Sequence, residues 1–266
     1  MQAQTVLVES KPGAGTTLAA AQAARAAPDG YTILLATAGF AASAALYKKL
    51  SYRPVEDFAG VSLLTEAPYL IATNAEHPAQ TLQQMLDLAK AKSGQVTYGT
   101  PGVGSGPHLM VELIGQMTGV KFTHVPFRGG AQAVVEVLAR RIDFMVDPPL
   151  SMIEHVRSGK FRALAVTTAK RSPSFPDSPT VAEAAVPGFE AAAWFGLIGP
   201  RGMPDDIVQR LNAACASVLA DSAVREKIKG LGAEARHSSP KEITDLIATD
   251  IKRWSDVVEK ANIERI

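Results

Sequence analysis

The sequence predicts an α/β protein built on mainly parallel sheets and divided into two lobes. Three observations carry this expectation. Strand-like and helix-like stretches alternate from Thr5 to Thr168, and the strands run out into small residues where helices begin. Two long apolar stretches, 58–74 and 191–200, read as one crossing out of a first lobe and one return to it. The length suits one large or two medium domains, since 266 residues at 47% hydrophobic and 20% charged can bury a sizeable core.

In chain order, "TVLVE" reads as a β-branched strand. It is followed by the loop "SKPGAG", the alanine-rich helix "TTLAAAQAARAA", a "PDG" turn and the strand "YTILLAT". The near-continuous apolar run of that second strand predicts burial on both faces. A second unit spans 95–147. There "QVTYGT" leads through "PGVGSGPH" into a helix over 108–118, and "KFTHVPF" leads through "RGG" into "AQAVVEVLARR" and the strand "IDFMVD". The helical "LSMIEHVRSGK" precedes a strand over 161–168. The stretch 170–200 reads as a proline-rich surface loop followed by the return strand "AAAWFGLIGP". From Pro204 onward the pattern is amphipathic helix, with Pro-Asp-Asp and Ser-Pro start signals, so this end packs.

Composition removes several classes of function. Twenty-seven basic against 26 acidic side chains give a net charge of +1, with no block of like charge to attract nucleic acid. No apolar run approaches the ~18 residues that span a bilayer, and no secretion signal opens the sequence. One cysteine, Cys215, excludes an internal disulfide and reads as a structural thiol on a helix. His77, His108, His124, His155 and His237 show no metal-ligand spacing, so neither a metal nor a cofactor is expected.

The glycine loops are the candidate chemistry. Neither "KPGAGTT" nor "GTPGVGSGPH" has a lysine after its last glycine, and "GVGSG" is not a dinucleotide fingerprint. A small anion fits better. Gly102 and Gly104 let the backbone turn toward a ligand, and Ser105 adds a hydroxyl where free N–H groups open a helix. A tight strand-to-helix turn is the competing reading. "TAGFAAS", with Thr37, Ala38, Gly39 and Ser43, and "FRGGAQ", with Arg128, Gly129 and Gly130, are further small-residue loops at strand ends. Arg128 would fork a carboxylate or face solvent. Asp147 would accept from a ligand hydroxyl or ammonium, or cap the next helix. His108 lies three residues after Ser105. A Ser/His acyl-transfer or hydrolytic pair is the alternative to helix capping there, although no acid is placed to orient the ring.

"ESKPGAG", "PDGYTILLAT", "LYKKLSYRPVEDFAGVSLL", "TYGTPGVGSGPHL", "HVPFRGGAQAVVEVLARRIDFMVD", "SGKFRALAVTTAKRSPSFPDSPTVAEAAVPGFE" and "WFGLIGPRGMPDDIVQRLN" occur in order along nearly the whole chain. Together they resemble the Bug-type receptors, the extracytoplasmic substrate-binding subunits of tripartite tricarboxylate transporters. The resemblance implies a periplasmic-binding-protein fold with a hinge and an inter-lobe cleft. Residues 1–67 and 198–266 would form the first lobe and 68–197 the second, with hinge motion near 66–70 and 194–198. It implies a non-enzymatic receptor for a small mono- or dicarboxylate, a periplasmic location and delivery to membrane permease subunits; a sensory receptor signalling to a membrane partner is the runner-up. Two departures stand out. Ser43 and Ala44 replace the Asn-Pro that often precedes "LY" in the family, and the chain opens at what resembles the family's second strand. The sequence therefore predicts a truncated or mis-started frame in which the neighbours of an absent strand have unpaired backbone groups. It also predicts a monomer unless that gap drives association.

Overall fold

A computed structural model describes residues 5–11, 13–260 and 263–266. Its elements are α1 (Thr17–Ala24), β1 (Leu34–Thr37), α2 (Ala38–Leu46), β2 (Phe58–Pro68), β3 (Leu70–Asn74), α3 (Leu82–Ala91), β4 (Thr97–Thr100), α4 (Gly106–Thr118), β5 (Thr123–Pro126), α5 (Gly130–Leu138), β6 (Phe144–Asp147), α6 (Ile153–Arg157), β7 (Phe161–Val166), α7 (Val181–Ala184), β8 (Ala192–Pro200), α8 (Asp205–Ala220), α9 (Ser222–Gly230), β9 (Glu234–Ala235) and α10 (Pro240–Lys260).

The strands form two sheets, a four-stranded one in the order β1-β8-β2-β9 and a five-stranded one in the order β5-β4-β6-β3-β7. The two expected crossings are present. The chain leaves the first sheet where β2 gives way to β3 at Tyr69, and re-enters it at Ala192, which pairs with Pro68. The whole of β8 therefore lies in the first sheet. Thr167, fully buried, joins the crossings: its Oγ1 accepts from the Tyr69 N–H and donates to the Ala191 carbonyl, each at 2.8 Å, and its own carbonyl accepts from Ala191 N–H.

The expectation of mainly parallel sheets is corrected. Every ladder of the first sheet is antiparallel, and for β2 with β8 this follows from their being an outbound strand and its return. In the second sheet only β4 with β5 and β4 with β6 are parallel: α4 carries the chain from β4 to its neighbour β5, and α5 carries it from β5 past β4 to β6. The other pairs, β3 with β6 and β3 with β7, are antiparallel.

Two expectations for the front of the chain also fail. "TVLVE" forms no strand, and Val6, Leu7 and Val8 are 82–94% exposed. Its β-branched residues have no ladder to join among the described residues, and strand propensity acts only through such a ladder. β1 pairs with β8 on one side and with no described residue on the other. Leu35 is 53% exposed, so this strand is not buried on both faces.

Packing follows the amphipathic patterns. On α3 the buried residues Leu82, Met85, Leu86 and Ala89 fall on one face, and Thr81 caps the helix by accepting from Gln84 N–H. The alanine-rich α2 is buried almost throughout and closes over a cluster of Phe40, Tyr52 and Phe58, with ring centroids 5.3–5.8 Å apart. α10 buries Ile243, Ile247, Trp254 and Val258, and its Asp250 accepts from Trp194 Nε1 at 2.6 Å. Cys215 is half-buried on α8 beside Val61, Met203 and Val208, and burial pushes its thiol up.

Candidate functional site

Three helices longer than two turns follow β1, β4 and β5, α2 directly and α4 and α5 after short loops, and the sequence explains each start. Thr37 ends β1 in extended backbone, and its Oγ1 accepts from Gly39 N–H at 3.2 Å. "TAGFAAS", expected as a loop, is therefore the first turns of α2, with Ala38 and Ser43 buried in it. Ser43 does not present its hydroxyl to solvent. It donates to the carbonyls of Gly15 and Gly104, tying the segment before α1 and the glycine loop before α4 to α2.

The loop from Pro101 to Ser105 is a hydrogen-bonded turn with an open helix start behind it. Ser105 caps α4: its Oγ accepts from His108 N–H at 3.4 Å and donates to the Gly102 carbonyl at 2.7 Å. Gly104 has φ +78°, and a side chain there would press on Leu46 and Tyr47, so glycine is required. Its N–H donates to His108 Nδ1 at 3.3 Å, which makes that nitrogen an unprotonated acceptor. Neither ring nitrogen of His108 bonds the Ser105 hydroxyl, so the arrangement is a cap rather than a nucleophile with its base.

Beneath this loop lies an aromatic column that the sequence did not reveal. His108 stacks on His124 at 4.2 Å, and His124 on Tyr98 at 4.8 Å. Thr100 Oγ1 bonds His124 Nε2 at 2.7 Å and accepts from Gly102 N–H at 3.2 Å, linking column to loop. Burial holds both imidazoles below their usual range. His124 is pushed down to about 3, with the His108 charge adding to the effect.

α5 starts at Gly130 with no side-chain cap. No protein acceptor among the described residues takes the N–H groups of Gly106, Gly129, Gly130 or Ala131. Gly130 is needed for space, since a Cβ there would run into Asp147 Oδ2. Asp147 ends β6 only 7% exposed, and it does not cap the short turn that follows, whose N-cap is Pro148. Arg128 is exposed, its N–H bonded to Gln132 Oε1.

Contacts link these pieces pairwise. Ser43 reaches Gly104, Gly102 abuts the Phe127 carbonyl, and Gly130 abuts Asp147. Tyr69, fully enclosed at the crossing, sets its hydroxyl against Gly106. A separate groove lies elsewhere. It occupies about 720 Å³ between α4 and α10 and is lined by Leu113, Gln116, Met117, Lys252, Arg253 and Lys260, with none of the strand-end residues. Among the described residues no cluster of His, Cys, Asp and Glu could hold a metal ion, and no helix is long and apolar enough to cross a membrane.

Comparison with known proteins identifies the family and the fold. The model of the family described as "Tripartite tricarboxylate transporter family receptor" matches residues 1–263. Protein BugT of Bordetella pertussis is 33% identical over 259 residues, covering 97% of this chain and 79% of that protein. Among solved structures, Rpa4515 of R. palustris with adipate superposes with a TM-score of 0.91 at 34% identity, over 96% of this chain and 85% of that one. MatC of Rhodopseudomonas palustris with bound malate gives 0.87 at 36% identity, over 92% and 85%. The periplasmic binding protein BugD gives 0.92 at 33% identity, over 98% and 88%.

Proposed function

This chain belongs to the tripartite tricarboxylate transporter receptor family, and from that membership we propose that it is a solute receptor that closes over a small carboxylate. The observation that carries the reading is the gathering of the α2, α4 and α5 starts, with unpartnered N–H groups at Gly106, Gly129, Gly130 and Ala131. Such groups offer donors and the positive end of a helix dipole to an anion without requiring a lysine. The adipate and malate in two structures of 34–36% identity make a dicarboxylate the first ligand class to test. In this reading the first lobe is 1–68 with 192–266 and the second is 69–191, the boundary expected at 197/198 moving to the start of β8 because all of β8 pairs in the first sheet. The lobes move about the crossings near Tyr69 and Ala191, the ligand is delivered to membrane permease subunits, and the protein acts outside the cytoplasm without catalysis.

Thr37, Ala38 and Gly39 would contribute from the first lobe. Gly102, Gly104, Ser105, His108, Gly129, Gly130 and Asp147 would contribute from the second, with Arg128 at the rim. Ser43 has the supporting role of holding the loops in register. Calorimetric titration with a panel of mono- and dicarboxylates tests the reading. It predicts saturable one-to-one binding of at least one acid. Uniform absence of heat from folded protein would overturn it.

A further inference from the structure

Asp147 is out of place in a site for anions. It is a carboxyl at the end of β6, 93% removed from solvent, seated against the first residue of a helix whose opening amides have no protein acceptor. An ionised Asp147 there would compete with a ligand carboxylate for the same donors and repel it at close range. The surrounding elements supply no cation to offset this. From α5 the neighbour is Gly130, from the turn after β6 it is the Ser151 hydroxyl, and from the β2–β3 crossing it is the neutral Tyr69, which senses the Asp147 charge. Among the described residues no lysine, arginine or histidine contributes to its titration; Arg128, just before α5, is exposed.

We propose that Asp147 engages the ligand as the neutral acid, donating its O–H to a ligand carboxylate that rests on the α5 amides, so that binding draws a proton onto Asp147 wherever the free receptor holds it ionised. The inference rests on the carboxylate-receptor reading above and deepens it: Asp147 selects a second carboxylate over an ammonium at this position. Burial supports the required proton, pushing the Asp147 carboxyl up to about 7, with Ser151 pulling weakly the other way. The atoms balance simply, because the proton comes from solvent, stays on Asp147 and is shared with the ligand oxygen; no covalent bond is made or broken.

The test is titration calorimetry with adipate and malate from pH 6 to 8.5, run in two buffers of different ionisation enthalpy so that protons are counted directly on the unaltered protein. Affinity is expected to be level near pH 6 and to fall by up to about tenfold per pH unit above 7, with net proton uptake appearing over the same range. Asp147→Asn keeps a donor of the same shape and should bind without that pH dependence. Affinity independent of pH, tighter binding at high pH, or an Asp147→Asn protein with the original slope would each overturn the proposal while leaving the receptor reading intact. Absence of heat at every pH, with these two acids and with every other acid of the panel, would overturn both.

Discussion

At the scale of single residues, the site is held by groups that must stay neutral and positions that must stay small. Gly130→Ala places a methyl group against the Asp147 carboxyl. Overpacking of this kind costs about 1–3 kcal/mol, so the variant should unfold at lower urea and bind carboxylates more weakly; unchanged stability and affinity would show that Asp147 has room to retreat. The stacked His108 and His124 are both depressed below the ordinary 6.5, His124 to about 3. The sign follows from linkage: the unfolded chain takes up these protons first. Their contribution to stability is therefore present above about pH 6.5 and is lost as pH falls from there toward 3. Urea unfolding at pH 7.5 and pH 5 should show the loss, and His124→Phe, which keeps a ring in the stack, should flatten the slope. An unaltered slope in that variant would place the acid sensitivity elsewhere.

At the scale of elements, the chain crosses between its sheets twice and Thr167 clasps both crossings. Thr167→Val keeps the shape but leaves the Tyr69 N–H and the Ala191 carbonyl without their side-chain partner, a loss of about 1–3 kcal/mol when such groups are buried. Faster hydrogen exchange at Tyr69 and lower stability in denaturant are the expected outcomes; native exchange at Tyr69 would mean that the backbone bonds of Thr167 hold the crossings alone. Thr167 was not visible as a clasp in the sequence, where "LAVTT" is only the tail of a strand. The same holds for His124 in "KFTHVPF" and for Tyr69 after Pro68, since each acquires its role from neighbours 24 to 98 positions away. Element positions were more legible. The strand and helix starts at β4, α4, α5, β6 and β8 follow from β-branched runs, small residues and caps. Strand direction was not legible, because the apolar pattern of a strand does not say which way its partner runs.

At the scale of the whole molecule, the order of motifs along the sequence was enough to anticipate the two sheets, and the proposed site lies where their strand ends give way to helices. The front of the chain was misread as a strand because local propensity takes no account of whether a neighbour is there to pair. The central claim is that main-chain N–H groups at helix starts, rather than a basic side chain, hold the ligand. The most direct measurement is a backbone amide NMR titration with adipate and malate, following Gly106, Gly129, Gly130 and Ala131. The account predicts that these amides move together, saturate at one equivalent of ligand and shift in the direction of stronger hydrogen bonding. Saturable binding that leaves them unmoved, or that shifts only the groove between α4 and α10, would contradict it.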